Sequence, residues 1–178
     1  MALREGTHEL GPDDGRLLIR TGRSGLGRRA GHDLTIEATR WSGTAVVADA
    51  PAQSSVEVIV EVDGLEVREG TGGVLPISDA DRAEIGRNLR EVLRAEEHPE
   101  ITFRSTRVEG TPEEFTVEGE LTVAGRTEPL TVRAGTEDDR VKGEATVRQT
   151  RWGIKPYSAF FGALKLADDV RVSFDLAL

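Results

Sequence analysis

Residues Phe115 to Ala134 read FTVEGELTVAGRTEPLTVRA and show most clearly how the chain folds. Apolar and polar side chains alternate along its first nine residues. A strand with one buried and one solvated face has this period. The pair Ala124-Gly125 interrupts the alternation, which resumes around Leu130. Two alternating runs separated by a short turn predict a β-hairpin.

The same period of two recurs on both sides of this hairpin. The other alternating runs cover residues 34–47, 56–62, 101–104, 141–147 and 170–178, and the apolar residues 17–19 are expected to form a short first strand. The run over 34–47 changes phase near Arg40, which predicts a bulge or a sharp bend within one long strand. Residues 68–77 contain three glycines and a proline and are expected to form a loop.

One helix interrupts the strands, at about residues 78–96. Ser78 and Asp81 have the spacing of a capping box at its start. A stripe of apolar residues follows at helical spacing, formed by Ile85, Leu89, Val92 and Leu93. Pro99 ends the helix, because the residue before a proline avoids the helical region.

These elements predict a mainly β fold, an eight-stranded antiparallel β-barrel of the up-and-down type with one helix. Closure into a barrel hides the sheet edges, and the main alternative is a two-sheet sandwich. Parallel βαβ units are excluded, since one helix cannot supply the crossovers. Residues 1–178 form a single domain, in which 1–14 are expected to be a weakly ordered tail.

The apolar strand faces carry several small residues, which leave two interpretations open. They are Ala38, Gly43, Ala45, Gly119, Ala134, Gly143 and Ala145. Small inward residues leave space for a ligand inside an eight-stranded barrel. Alternatively, they accommodate the helix or tight bends in the strands.

Composition excludes several classes of function. The formal net charge is -9, which repels nucleic acids and anionic membranes. The chain has no cysteine, so disulfides and thiolate catalysis are excluded. The three histidines lack metal-ligand spacing, and neither a metal nor a cofactor is predicted. No apolar run is long enough for a membrane span or a signal peptide, so a cytoplasmic protein is expected.

Two segments stand out as candidates for ligand contact. The Gly-rich loop between residues 21 and 31 carries Arg23, Arg28 and Arg29 and is followed by His32. These side chains could hold an anionic head group at a barrel mouth, or the loop is a solvated connector. The segment 152–166 holds four of the eight aromatic residues and is interpreted as a lid over a cavity or as a core plug.

The order of several motifs resembles the YceI-like family of polyisoprenoid-binding proteins. The matching stretches are AGHDL at 30–34, WSG at 41–43, HPEITF at 98–103, GELTVAGRTEPL at 119–130 and RWGI at 151–154. The resemblance covers about residues 15–178. It implies an extended lipocalin-like barrel with a helix across it, often dimeric, and an apolar channel for an isoprenoid or another long amphiphile. It implies no catalytic residues.

The leading hypothesis is therefore a non-enzymatic carrier of a long apolar or amphiphilic ligand. The predicted cavity lining is Leu34, Ile36, Val58, Val60, Phe103, Phe115, Val117, Val147, Val172 and Phe174. Trp41, Trp152, Phe160 and Phe161 are predicted at the mouth or lid. Two alternatives remain: a cofactor-free isomerase or cyclase that uses His32 as acid or base, and a ligand-free interaction module with a filled barrel.

Overall fold

The computed structural model describes residues 3–24, 33–71, 78–159 and 164–177. Within these ranges the chain forms one sheet of twelve strands and one α-helix. The strands are β1 (Gly6–Leu10), β2 (Gly15–Ser24), β3 (Asp33–Ala38), β4 (Trp41–Val47), β5 (Ser55–Glu61), β6 (Leu65–Thr71), β7 (Glu100–Gly110), β8 (Phe115–Val123), β9 (Arg126–Glu137), β10 (Arg140–Arg148), β11 (Ser158–Ala159) and β12 (Leu164–Ala177). The helix α1 spans Asp79–Val92. The prediction of a mainly β fold with one helix is confirmed.

The hairpin over residues 115–134 forms as the sequence predicts. β8 and β9 pair in an antiparallel manner, with Phe115 opposite Ala134 and Val123 opposite Arg126. The two residues between the strands both have positive φ, 50° at Ala124 and 80° at Gly125. A two-residue turn of this kind matches the right-handed twist of the strands that it joins.

All strand pairs in the sheet are antiparallel, and the sheet curls into a lipocalin-like barrel. Neighbours follow the order β1-β4-β5-β7-β8-β9-β10-β12-β2-β3-β6, and β11 pairs with β12. β3 and β4 are consecutive in the chain, yet they lie near opposite ends of this order. The same holds for β5 and β6. Two short connections therefore join the two ends of the sheet.

We call the point where these two connections meet the corner, formed by residues 39–40 and 61–64. The Thr39 N–H donates to the carbonyl oxygen of Gly64 at 2.8 Å, and the Thr39 hydroxyl donates to the same oxygen at 2.6 Å. The Glu61 N–H donates to the Arg40 carbonyl oxygen at 3.0 Å. Thr39 is thus bonded to the residue directly before β6, and Arg40 to the last residue of β5. The bend predicted near Arg40 is this corner.

The helix begins as predicted and ends earlier than predicted. The Ser78 hydroxyl accepts from the Asp81 N–H at 3.1 Å, and the Asp81 carboxylate accepts from the Ser78 N–H at 3.0 Å. The last helical residue is Val92, not a residue near 96. Arg94 adopts φ 55°, and the Ala95 N–H returns to the Arg90 carbonyl oxygen at 2.9 Å. This is a Schellman stop that carries arginine where glycine is usual.

Three expectations about the strands need correction. The described residues form twelve strands rather than eight, partly because the corner divides one long run into β3 and β4. The expected tail at 1–14 contains β1, which pairs with β4 from Gly6 opposite Val47 to Leu10 opposite Gly43. The expected loop at 68–77 begins inside β6, whose alternation is hidden by its charged and glycine residues.

Charged side chains pair across the strands on the outer face of the sheet. The clearest group is Glu37 on β3, whose carboxylate accepts from Arg16 and from Arg68, each at 3.1 Å. The hydrogen bond from Arg16 is the main reason that the pKa of Glu37 lies below its usual range, and Arg68 lowers this pKa further. Partial burial of the carboxylate acts in the opposite direction.

The close packing at the corner predicts that a methyl group added at Gly64 destabilises the fold. A Cβ on Gly64 would lie 2.7 Å from the Arg40 Cβ and 2.8 Å from the Arg40 backbone nitrogen. We expect Gly64→Ala to lower the free energy of unfolding by about 1–3 kcal/mol, measured by urea denaturation. The matched control is Gly86→Ala in α1, where a Cβ would meet nothing within 4 Å.

For the Gly86→Ala control we expect a gain of about 0.5–1 kcal/mol, because alanine is the better helix former. A Gly64→Ala variant as stable as the parent protein would contradict the tight packing at the corner.

The lowered pKa of Glu37 predicts an acid-sensitive part of the stability. The ion pairs with Glu37 stabilise the fold above the ordinary glutamate pKa of 4.5, and this contribution is lost as the pH falls through the lowered value. We measure the free energy of unfolding by urea denaturation at about pH 6 and about pH 3. Over this interval we expect it to fall by up to ~1 kcal/mol more in the parent than in Glu37→Gln. Glu120→Gln on β8 is the control, and an equal change in both variants would refute the assignment.

Candidate functional site

The interior of the curled sheet holds a cavity of about 740 Å³. This volume lies within the range of small-molecule sites in proteins. Strands from both ends of the sheet line it, and α1 contributes Ile85, Leu89 and Val92. The barrel is therefore hollow rather than filled, and the cavity is bounded mostly by aliphatic and aromatic side chains.

Eleven of the fourteen residues predicted for ligand contact line this cavity. They are Leu34, Ile36, Trp41, Val58, Val60, Phe103, Phe115, Val117, Val147, Val172 and Phe174. The alternation that predicted them places every second side chain of a strand on the same face, and that face is the inner one. Sequence reasoning missed the helix as part of the wall, although its apolar stripe was visible.

Trp41 lines the cavity next to the corner. It is 8% exposed and packs with Ala38, Val60 and Leu176. Its indole N–H has no hydrogen-bond partner within the described part of the chain, so packing alone holds the ring. Trp41 begins β4 directly after the bend, and its position at the mouth stays a prediction.

Trp152 is not among the residues that line the cavity. It is 3% exposed and belongs to a core cluster with Leu121, Val123, Val147 and Ile154. Its indole N–H donates to the Leu121 carbonyl oxygen at 2.8 Å. The segment that begins at Trp152 was expected to be either a lid or a plug, and at this residue it is core.

The predicted head-group residues are only partly placed. Arg28, Arg29, His32, Phe160 and Phe161 lie outside the described residues. Arg23 belongs to β2 and is paired with Leu166 of β12. Among the described residues that line the cavity, the only charged side chains are Glu5 and Asp49.

Two of the small inward residues have a role that the sequence did not predict. A Cβ on Gly143 would lie 2.3 Å from Cζ of Phe174, and a Cβ on Gly119 would lie 2.5 Å from Cζ of Phe103. Each glycine therefore lies beneath the tip of an aromatic ring from the neighbouring strand. Neither the space hypothesis nor the bend hypothesis included this contact.

The described parts of the chain offer neither a metal-binding cluster nor a membrane-spanning helix. No group of three or more histidine, aspartate or glutamate side chains is placed to hold a metal ion there. The described residues also include no helix with the length and apolar character needed to cross a membrane.

Comparison with known proteins identifies the architecture. The model of the YceI-like domain matches residues 20–178. The crystal structure of Burkholderia cenocepacia BcnA is similar at 15% sequence identity with a TM-score of 0.63, covering 90% of this chain and 94% of that chain. A Campylobacter jejuni YceI protein, described as crystallising with large solvent channels, is similar at 14% identity with a TM-score of 0.57, covering 79% and 81%. No curated protein matches the sequence.

The two tryptophans predict different costs for the same substitution. Trp152→Phe removes the hydrogen bond to the Leu121 carbonyl oxygen, whereas Trp41→Phe removes no hydrogen bond within the described part of the chain. We expect Trp152→Phe to be the more destabilising by about 1 kcal/mol in chemical denaturation. A larger loss for Trp41→Phe would contradict the assignment of Trp152 as the anchored core residue.

Proposed function

Because this chain belongs to the YceI-like family, we propose that it is a carrier that binds a long apolar or amphiphilic ligand of isoprenoid type inside the barrel. The observation that carries the proposal is the cavity of about 740 Å³ with its almost wholly apolar wall. Family and fold together support a ligand-binding barrel. The isoprenoid as the ligand, a homodimer and a cytoplasmic location stay predictions.

The physical basis of binding is the removal of apolar surface from water. Burial contributes roughly 25 cal/mol per Å² of apolar surface, so a long chain offsets its loss of freedom without many polar anchors. A methylene group is similar in size to a water molecule, which takes ~30 Å³ in the liquid, so the cavity has room for roughly two dozen such groups. A terpenoid chain of intermediate length fits this volume.

The wall favours a ligand whose buried part is neutral. The charged residues of the described lining are Glu5 and Asp49, and both carry negative charge, so they repel an anion. Contact of Arg23, Arg28, Arg29 and His32 with an anionic head group therefore remains a separate hypothesis. It predicts that replacing the three arginines by glutamine weakens a prenyl phosphate more than the prenyl alcohol of equal length, and more so at low salt.

A lumen-filling substitution tests the proposal. Val172 lines the cavity and is only partly buried, so a larger side chain at this position extends into the lumen. We expect Val172→Phe to lower the affinity for geranylgeraniol about tenfold or more, while the free energy of unfolding changes by less than ~1 kcal/mol. Ile59→Phe is the matched control, because Ile59 is 42% exposed.

Binding is measured by tryptophan fluorescence and by isothermal titration. Organic extraction of the purified protein, followed by mass spectrometry, identifies any ligand that accompanies it. An extract without an apolar compound, together with no binding of geranylgeraniol by the parent, would refute the proposal. An equal loss of affinity in Val172→Phe and Ile59→Phe would show that the lumen is not the site.

A further inference from the structure

We propose that two ring-on-glycine pairs, Phe174 on Gly143 and Phe103 on Gly119, set the bore of the lumen and thereby select ligands by cross-section. This inference rests on the proposed function. Both phenylalanines line the cavity, one on β12 and the other on β7. In the order of the sheet, β8, β9 and β10 separate these two strands, so the rings come from different parts of the wall.

The direction of each ring follows from the position of its tip. Phe174 and Gly143 are direct cross-strand partners, and Cζ is the atom of the ring farthest from the Phe174 backbone. This atom lies 2.3 Å from the place where a Gly143 Cβ would be. The ring therefore extends sideways over the neighbouring strand and along the wall, and it does not point across the lumen.

The second pair repeats this arrangement with a diagonal offset. Phe103 is paired with Leu121, and Gly119 comes two residues before Leu121 in β8. A Gly119 Cβ would lie 2.5 Å from Cζ and 2.7 Å from Cε2 of Phe103. In a sheet, inward side chains at such diagonal positions are within reach of an aromatic ring.

A side chain at either glycine would clash with the ring that now lies against the wall. Any other residue at 143 or 119 carries a Cβ that would lie 2.3 or 2.5 Å from a ring carbon, which is too close, so the ring would have to turn away from the sheet. The open direction is the lumen, which both rings already face. The glycines therefore keep the bore wide, and a narrow bore would exclude a ligand with a ring more strongly than a linear chain.

The test compares two neutral twenty-carbon isoprenoid alcohols, linear geranylgeraniol and ring-bearing retinol. The measured quantity is the ratio of their dissociation constants, which cancels general losses of affinity. We expect Gly143→Ala to shift this ratio about tenfold in favour of geranylgeraniol, the size of effect that a methylene group has in an apolar pocket. Adding Phe174→Leu to Gly143→Ala should return the ratio to within about threefold of the parent.

Gly143→Ala also brings a Cβ within 2.8 Å of the Arg133 carbonyl oxygen, and this contact could prevent folding. Phe174→Leu alone therefore serves as a second variant that tests the same inference. This variant adds no atom and shortens the ring side chain, so the ratio should shift towards retinol. Gly43→Ala is the matched control on β4, because its Cβ would make only ordinary contacts at 3.4–3.6 Å. Its ratio should equal that of the parent.

The outcomes separate this inference from the proposed function. If the parent binds both alcohols and the ratio is the same in Gly143→Ala, Phe174→Leu and Gly43→Ala, the bore inference is wrong and the carrier function stands. If the ratio shifts as much in Gly43→Ala as in Gly143→Ala, the bore inference is also wrong, because a methyl group added elsewhere on the wall would then change the ratio equally. If the parent binds neither alcohol, the bore inference is overturned, and the carrier function is overturned with it when the organic extract also contains no apolar compound.

Discussion

The hydrogen bonds at the corner are the constraint on which the rest of the structure depends. Two consecutive residues, Thr39 and Arg40, are bonded to Gly64, directly before β6, and to Glu61, the last residue of β5. Since these strands belong to opposite ends of the sheet, the corner obliges a flat ribbon of strands to curl. The space inside the barrel follows from this curl. The close approach of Gly64 to Arg40 explains why the chain has glycine where the two connections meet.

The wall of the cavity could be predicted from the sequence because the period of a strand is two. Once the phase of a run is known, as it is from Phe115 to Val123, alternate residues must share a face. That argument placed Phe103, Val147 and Val172 on the inner face, where they line the cavity. The helix start was predictable for a similar reason, because a capping box is local and needs only Ser78 and Asp81.

Other features depend on partners that are distant in the sequence, and the period cannot reveal them. β1 forms by pairing with the edge strand β4, and no pattern within residues 6–10 predicts that pairing. Trp152 is core because its N–H meets the carbonyl oxygen of Leu121, thirty-one positions earlier. The glycines at 119 and 143 suggested empty space, whereas aromatic rings from adjacent strands cover them. The Schellman stop was missed because Arg94 stands where glycine is expected.

The different settings of the two tryptophans have an optical consequence. The chain contains two indoles, and Trp41 lies on the cavity wall whereas Trp152 is fixed behind it by a hydrogen bond to the backbone. A molecule that fills the lumen contacts Trp41 directly, whereas Trp152 is not among the residues that line the cavity. The intrinsic emission of the protein therefore contains a signal that depends on occupancy and an internal reference, without any attached dye.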